Sequence, residues 1–316
     1  MKFPINESIE SFLDSLDISL GELKFEGDLN SMSNSNYLFS TDKSYKKLVV
    51  RVDNASNSAI IDRGVERLNS KVVESLGIGP RILFSDGYKI SEYITGACIY
   101  DKTNPAHLAA LCKSLVTLHR STAAFQNRFD PIKMGYDYLN GIEQLYSEEA
   151  ELAASSNKPV VIASNNSLRL SRRLRDELKE LCFEFDATAP SELLMVPCQV
   201  DLVPENLLYS DYDGKLYIID QEYSGMFYLE WDLAELSSET AMTDSEESHL
   251  LESYEKASGY SVDLRLYYLC KAACNLLWSA WAVYFHETKS DMRDYFNLRY
   301  GNYITALNQY KEMKGQ

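Results

Sequence analysis

Short runs of β-branched and apolar residues alternate with turn residues over the first ninety positions of the chain. Residues 47–52 read Lys-Leu-Val-Val-Arg-Val, residues 36–40 are apolar-rich, and turn residues lie between them, so a β-hairpin is predicted. Two further strands are predicted at residues 81–84 and 88–94. Between the two pairs, residues 62–77 carry apolar side chains at the spacing of an amphipathic helix, which Gly77 ends.

The period of the apolar positions changes to that of helices after about residue 106. Helices are predicted at residues 107–125 and 168–181, and the chain after Asp232 reads as helical to its end. One hairpin interrupts this region, with strands at 206–209 and 216–220 around an Asp-Tyr-Asp-Gly turn. The layout predicts an α+β fold with a small β-rich N-terminal lobe at residues 1–94 and a larger, mainly helical C-terminal lobe at residues 95–316. An extended linker near residues 94–104 joins them.

The charge of the chain narrows the class of partner. In 316 residues, 31 Lys and Arg stand against 47 Asp and Glu, which gives a formal net charge of −16. Phosphate backbones need a cationic face, so this balance argues against nucleic acid as a partner. It favours a small cationic ligand, because an acidic cleft concentrates positive charge.

No segment predicts export or membrane insertion. The first residues lack the apolar region of a signal peptide, and the longest apolar stretch, near residues 276–285, is shorter than the ~20 residues that a bilayer span needs. The six cysteines form no C-x-x-C pair, which is typical of reduced thiols. These features predict a cytoplasmic protein.

The segment Cys-Gln-Val-Asp-Leu-Val-Pro-Glu-Asn and the predicted hairpin after it contain two aspartates and an asparagine that suit a catalytic site. Asn206 begins this hairpin and Asp220 ends it, so the two are expected to lie close together, where their oxygens suit Mg²⁺. Asp201, in the preceding loop, is placed to orient a substrate hydroxyl and accept its proton. This division of labour is typical of phosphoryl transfer.

The same segment resembles the kinase-like fold of the choline/ethanolamine kinase and aminoglycoside phosphotransferase group. The resemblance rests on D-x-x-x-x-N from Asp201, I-D-x-E-Y at residues 219–223 and W-D-L-A at residues 231–234, and it extends from about residue 25 to 303. It implies a protein-kinase-like two-lobe structure that binds ATP and Mg²⁺. It also implies that Asp232 braces the catalytic loop, in which Gln199 replaces the family's histidine.

The predicted small lobe carries the features that the resemblance assigns to ATP. Residues 30–37, Asn-Ser-Met-Ser-Asn-Ser-Asn-Tyr, are similar to the family's phosphate loop, with Asn30 and Ser31 in place of two glycines. A strand arginine matches the family's phosphate-binding arginine, and a glutamate on the next helix is its predicted partner. Residues 90–96 resemble the strand whose backbone meets adenine. The predicted ATP site comprises Ser33, Asn34, Asn36, Arg51, Glu66, Glu92, Tyr93 and Ile94.

Two tryptophans suggest the acceptor. Trp278 and Trp281 are three residues apart on a predicted helix and therefore share a face. Indole is the strongest cation–π partner, and aromatic rings recognise quaternary ammonium groups in this way. Core packing is the alternative interpretation, because aromatic residues at helical spacing are usually buried. The catalytic segment upstream favours the binding role.

The tryptophan pair resembles the W-x-x-W of the choline pocket in choline kinases. The resemblance adds Glu222, Tyr223 and Glu239 to the predicted substrate site, with Glu239 as an anion near the ammonium group. A further aromatic residue of that pocket corresponds to either Tyr295 or Phe296.

These patterns together predict an ATP-dependent kinase that phosphorylates the hydroxyl of choline to give phosphocholine and ADP. Three alternatives stay open. The acceptor is ethanolamine, thiamine or an aminoglycoside in the first, and a larger molecule such as a peptide or sugar in the second. The third is a nucleotide-binding pseudokinase, which Gln199 and the glycine-poor loop favour and the intact Asp201, Asn206 and Asp220 disfavour.

Overall fold

The computed structural model describes residues 22–29, 35–42, 47–52, 61–85, 88–156, 165–189, 194–288 and 290–315. The chain divides into two compact units. The first contains the described residues of 1–127 and 204–224, and the second contains those of 128–203 and 225–316. The lobe boundary after Ile94 stays a sequence-based prediction.

A five-stranded antiparallel sheet forms the first part of unit one, in the order β1-β2-β3-β5-β4. Its alternating inward positions build a core from Phe39, Leu48, Val50 and Ile90. The predicted hairpin and the two predicted strands after it are present, with ends that differ by one or two residues. The first strand was not predicted, because its sequence Lys-Phe-Glu-Gly-Asp-Leu mixes charges and a glycine with few apolar positions. The strands are β1 (Lys24–Leu29), β2 (Ser35–Ser40), β3 (Lys47–Val52), β4 (Ile82–Ser85) and β5 (Tyr88–Glu92).

Helix α1 (Arg63–Ser75) confirms the helix predicted at residues 62–77. The side chain of Asp62 caps it by accepting from the amides of Gly64 at 2.9 Å and Val65 at 3.1 Å. Gly77, at φ +69°, follows its C-terminal end. The buried face of this helix includes Glu66, so an ionisable group enters the interior of unit one.

A three-stranded sheet in the order β6-β8-β9 completes unit one, from β6 (Ala97–Ile99), β8 (Leu207–Ser210) and β9 (Lys215–Ile218). Strands β8 and β9 are the predicted second hairpin, with Gly214 at φ +69° in its turn. The extended linker predicted at residues 94–104 contains strand β6. This strand was not predicted, because three residues are too few to show an alternating pattern. Helix α2 (Pro105–His119) ends before the predicted residue 125, since the Ser121 hydroxyl accepts from the Ala123 amide at 3.0 Å in a local turn.

Unit two is mainly helical. Its strands β7 (Val196–Cys198) and β10 (Gly225–Phe227) pair antiparallel. Helix α7 is central: it packs against α3, α4, α5 and α8, and its apolar residues occupy all its faces. The helices are α3 (Pro131–Ser156), α4 (Asn165–Thr188), α5 (Leu229–Glu239), α6 (Asp244–Ser258), α7 (Leu264–Thr288) and α8 (Arg293–Lys314).

The α+β fold class predicted from the sequence is confirmed, with antiparallel sheets in one unit and a helical assembly in the other. Among the residues that the structure describes, no helix combines the length and the apolar character that a bilayer crossing needs. The six cysteines are free thiols, and four of them are buried.

Candidate active site

Asp201 lies in the loop of unit two that follows β7. The amides of the two preceding residues, Gln199 and Val200, donate to Oδ2 and Oδ1 of Asp232 over 2.8 and 2.9 Å. The indole of Trp231 donates to the carbonyl of Val200 over 3.1 Å. Because Trp231 and Asp232 are buried in the first turn of α5, the helix holds the loop in place. Asp232 thus stands in the bracing position that the resemblance implies.

Val200 has an uncommon backbone conformation. Its φ is +73°, in the left-handed region, where a β-branched residue costs about 1–2 kcal/mol. The hydrogen bonds to its amide and carbonyl hold this geometry, and its side chain is buried. The residue directly before Asp201 is therefore fixed by its surroundings, which leaves the carboxylate of Asp201 on a rigid support.

Asn206 and Asp220 lie at the open end of the β8–β9 hairpin in unit one. The carbonyl of Asn206 accepts from the amide of Ile219 at 3.0 Å, and Asp220 comes next at φ +60°. The hairpin therefore brings the two residues together, as its pairing predicts. Their side chains offer a carboxylate and an amide oxygen, the hard donors that Mg²⁺ takes, so these residues fit that ion.

Arg51 connects Asp220 to Glu66 in a buried group of ion pairs. Its NH1 lies 2.6 Å from Oε1 of Glu66 and 2.9 Å from Oδ1 of Asp220, and its NH2 donates to Oε2 of Glu66 at 2.8 Å. Lys89 and Arg63 approach the same carboxylate at 3.2 and 2.7 Å. Burial alone would raise the pKa of Glu66, but the charges of Lys89 and Arg51 hold this pKa well below its usual range. The predicted Arg51–Glu66 pair is present and is one part of a larger cluster.

Strand register explains how this cluster forms. Arg51 on β3 lies opposite Asn36 on β2 and opposite Lys89 on β5. Directly opposite residues of an antiparallel sheet share one face, so Lys89 also reaches α1, where its Nζ lies 3.2 Å from the hydroxyl of Ser70. Burial lowers the pKa of Lys89, which Glu66 opposes. Lys89 was not predicted as part of the site, because β5 mixes polar and apolar residues and nothing in its sequence distinguishes this lysine.

Glu222 belongs to the same cluster in unit one. Arg63 NH1 donates to its Oε2 over 2.9 Å, and its side chain is 3% exposed. Burial, followed by the neighbouring charge of Asp220, raises the pKa of Glu222 to about 7. Tyr223 follows and is half-buried. A contact of either residue with the acceptor stays a prediction.

The strand predicted to meet adenine uses part of its backbone within the fold. The amide of Glu92 donates to the carbonyl of Arg81 at 3.0 Å, and the amide of Tyr93 donates to that of Lys47 at 3.2 Å. These two amides are therefore engaged within the fold, and Ile94 is the remaining position predicted to meet adenine. The predicted phosphate-loop residues Ser33 and Asn34 lie outside the described residues.

Four aromatic rings cluster on α7 and α8 in unit two. The rings of Trp278 and Trp281 meet edge to face at 6.3 Å, Phe285 stacks on Trp281 at 4.6 Å, and Tyr295 meets Trp281 edge to face at 5.7 Å. Trp278 is only 4% exposed, whereas Trp281 is half-buried. Of the two candidates on α8, Tyr295 joins this aromatic cluster, and Phe296 stacks on Tyr300 instead.

Acidic groups adjoin the aromatic cluster. Oε1 of Glu239 accepts from the hydroxyl of Tyr295 at 3.2 Å and pairs with NH1 of Arg299 at 2.8 Å. Arg299 NH2 lies 3.4 Å from Oε2 of the buried Glu235. Burial raises the pKa of Glu235 well above its usual value, and the charges of Glu239 and Asp201 add to this against the opposing Arg299. The sequence gives no local sign of Glu235 or Arg299.

Comparison with known proteins identifies the class. The model of the choline/ethanolamine kinase family matches residues 27–306, and the chain belongs to this family. It is a phosphotransferase that acts on an alcohol group. The family resemblance predicted from the motifs is confirmed.

Individual relatives agree with this assignment. Protein LicA of Haemophilus influenzae is 25% identical over 279 residues, which cover 84% of this chain and 94% of that protein. The crystal structure of choline kinase LicA from Streptococcus pneumoniae superimposes with a TM-score of 0.73 at 27% identity and covers 96% of this chain and 99% of that one. A structure of LicA in complex with AMP gives a TM-score of 0.72 at 27% identity, with coverage of 98% and 99%. The kinase-like fold is thereby confirmed.

Proposed function

We propose that this protein transfers the γ-phosphoryl group of ATP to the hydroxyl of choline and releases phosphocholine and ADP. The observation that carries the proposal is the half-buried indole of Trp281, which contacts three other aromatic rings in the unit that holds Asp201. One of these rings, that of Tyr295, donates a hydrogen bond to the Glu239 carboxylate. A quaternary ammonium group binds to aromatic faces without donating hydrogen bonds. We also propose a cytoplasmic location, because the reducing cytoplasm suits a chain with six free thiols.

ATP is the proposed donor. Its phosphates need cations, and unit one concentrates Arg51, Arg63 and Lys89 around the end of the β8–β9 hairpin. Arg51 is held in place by Glu66, which preorganises its guanidinium. The LicA structure in complex with AMP, at 27% identity, supports a nucleotide as ligand.

Asn206 and Asp220 are the residues that would hold Mg²⁺. This ion, when bound, neutralises charge that develops on the phosphates during transfer. NH1 of Arg51 pairs with Oδ1 of Asp220 at 2.9 Å. Arg51 therefore balances the negative charge of Asp220 within the protein. Phosphate oxygens are also negatively charged and offer Arg51 an alternative partner.

Asp201 is the proposed base. It orients the choline hydroxyl and accepts its proton as the oxygen attacks phosphorus, a role that contributes about 10²–10⁴-fold in rate. The rigid loop supports this role, because a catalytic group works best when its position is fixed before the reaction. The hydrogen bonds from Gln199 and Val200 to Asp232 provide this fixing.

An assay of ADP release with Mg-ATP tests the proposal. We expect choline to give a kcat/KM at least about tenfold above those of ethanolamine, thiamine and kanamycin, because one well-placed aromatic ring contributes up to about 2 kcal/mol toward a desolvated quaternary ammonium. ATP binding is measured separately by thermal shift, so that loss of the nucleotide and loss of the acceptor are distinguished.

Other results of this assay would replace the proposal. Preference for another alcohol would retain the phosphotransferase and reject the choline assignment. ATP binding without ADP release from any acceptor would contradict turnover and favour a nucleotide-binding pseudokinase, for which Gln199→His is the variant to examine.

A further inference from the structure

Arg299 is a buried cation behind the aromatic cluster. Its side chain is 1% exposed, and its guanidinium lies 2.8 Å from Glu239 and 3.4 Å from Glu235. It also lies over the ring of Tyr295, at 5.7 Å from the ring centroid. One guanidinium thus contacts two acidic side chains and an aromatic wall of the proposed acceptor pocket.

These contacts fix the Glu239 carboxylate. Its Oε1 accepts a hydrogen bond from the Tyr295 hydroxyl at 3.2 Å and forms an ion pair with Arg299 NH1 at 2.8 Å. A carboxylate held by a hydrogen bond and a close ion pair on one oxygen has a restricted orientation. Arg299 and Tyr295 therefore determine where the charge of Glu239 is presented.

The same contacts reduce that charge. Glu239 and Arg299 form a pair of zero net charge, and Glu235 is fully buried behind it. A cation beside Trp281 consequently feels the field of Glu239 together with the opposing field of Arg299. Arg299 is thus a part of the pocket's electrostatics although it is itself buried.

Primary and quaternary ammonium groups respond differently to such a pocket. A primary ammonium is compact, strongly hydrated and carries three N–H donors, so it needs strong acceptors in place of water. A trimethylammonium has no donor and binds through aromatic faces. A carboxylate already engaged by Arg299 and Tyr295 therefore serves the second group better than the first.

We infer that Arg299 is a positioning and specificity-determining residue, which orients Glu239 and offsets its charge so that the pocket selects a quaternary ammonium alcohol over a primary amine. The inference rests on the proposed function and assigns choline specificity to a buried ion pair in addition to the rings. Turnover of choline by the unmodified protein tests the proposed function by itself, so failure of that reaction is distinct from failure of this inference.

The test is the ratio of kcat/KM for choline to that for ethanolamine. In Arg299→Gln, we expect this ratio to fall about tenfold or more, because Glu239 regains its full charge and acceptor capacity for a primary ammonium. Arg299→Lys keeps the charge and is expected to keep the ratio within about threefold of the original. The double variant Glu239→Gln/Arg299→Gln removes both charges and is expected to restore most of the ratio.

A matched control is available on α4. Arg173 also pairs with a glutamate, Glu177, at 3.1 Å and lies over a tyrosine ring, that of Tyr300, at 4.8 Å. Its side chain is 60% exposed, and it lies outside the aromatic cluster. Arg173→Gln should leave the ratio unchanged.

A second variant keeps the inference testable if Arg299→Gln does not fold, as judged by thermal unfolding. Glu239→Gln leaves the Arg299 charge less compensated, so the KM for choline should rise about tenfold relative to that for 3,3-dimethylbutan-1-ol, its uncharged analogue. An unchanged choline-to-ethanolamine ratio in a folded Arg299→Gln protein would overturn the inference. An equal change in the KM for choline and in the KM for its uncharged analogue in Glu239→Gln would also overturn the inference. Either result would mean that the Arg299–Glu239 pair supports packing without affecting the charge of the pocket.

Discussion

The Asp201→Asn variant is expected to lose about 10²–10⁴-fold in kcat with choline while its affinity for Mg-ATP changes by less than about threefold. The substitution keeps the size of the side chain and removes its ability to accept a proton. The loop geometry should survive, because the bonds that fix the loop are donated by the backbone of Gln199 and Val200 to Asp232 and do not involve this side chain's charge.

Steady-state kinetics and calorimetric titration with Mg-ATP separate the two effects. Asp176→Asn is the matched control, since it makes the same chemical change at an exposed position on α4. We expect this control to retain normal kcat. Turnover of Asp201→Asn within threefold of the original would remove Asp201 as the base and leave positioning and charge neutralisation as the sources of rate.

The Trp281→Ala variant is expected to raise the KM for choline about 30-fold and to change the KM for ATP less than about threefold. The factor corresponds to the upper cation–π contribution of about 2 kcal/mol for a desolvated ammonium. Trp281 is the ring that contacts all three of the others, so its loss also removes the surface on which Phe285 and Tyr295 pack. Thermal unfolding is measured in parallel, because truncation of a large aromatic side chain lowers stability.

Phe296→Ala provides the control for this experiment. Phe296 is half-buried on α8, next to Tyr295 in sequence, but it stacks on Tyr300 at 5.5 Å and lies outside the aromatic cluster. Its loss should leave the KM for choline within about twofold. An equal rise in the KM for choline and for ATP in Trp281→Ala would identify the indole as a packing residue and contradict its role in binding.

Much of the fold follows from local sequence signals. Helix α1 is predicted by apolar spacing and is capped by Asp62, and the β8–β9 hairpin is predicted by its turn residues. Each signal acts within a few residues, so tertiary context has little opportunity to override it. The closeness of Asn206 and Asp220 follows from hairpin pairing in the same way.

The remaining features depend on contacts between distant parts of the chain. Arg299 meets Glu235 across 64 residues, and Lys89 enters the Glu66 cluster only because β5 pairs with β3 in one particular register. Strand β7 has three residues, one of them Pro197, and shows no period that could be recognised. Such features have no local pattern, so the sequence alone does not predict them.

The choice between two adjacent aromatic residues illustrates the same limit. Tyr295 and Phe296 are neighbours on α8, and successive residues of a helix point about 100° apart. Which of them meets Trp281 depends on how α8 is rotated against α7. That rotation is set by the packing of the two helices, including the buried Arg299–Glu239 pair one turn further along α8.

Phosphorus NMR of the reaction shows whether this chain transfers a phosphoryl group to the oxygen of choline. Protein, Mg-ATP and choline are incubated together, with a parallel sample that contains Asp201→Asn. Transfer to choline predicts a phosphocholine resonance that grows in step with ADP in the first sample and stays at background in the second. ADP that accumulates with inorganic phosphate and without phosphocholine would contradict it.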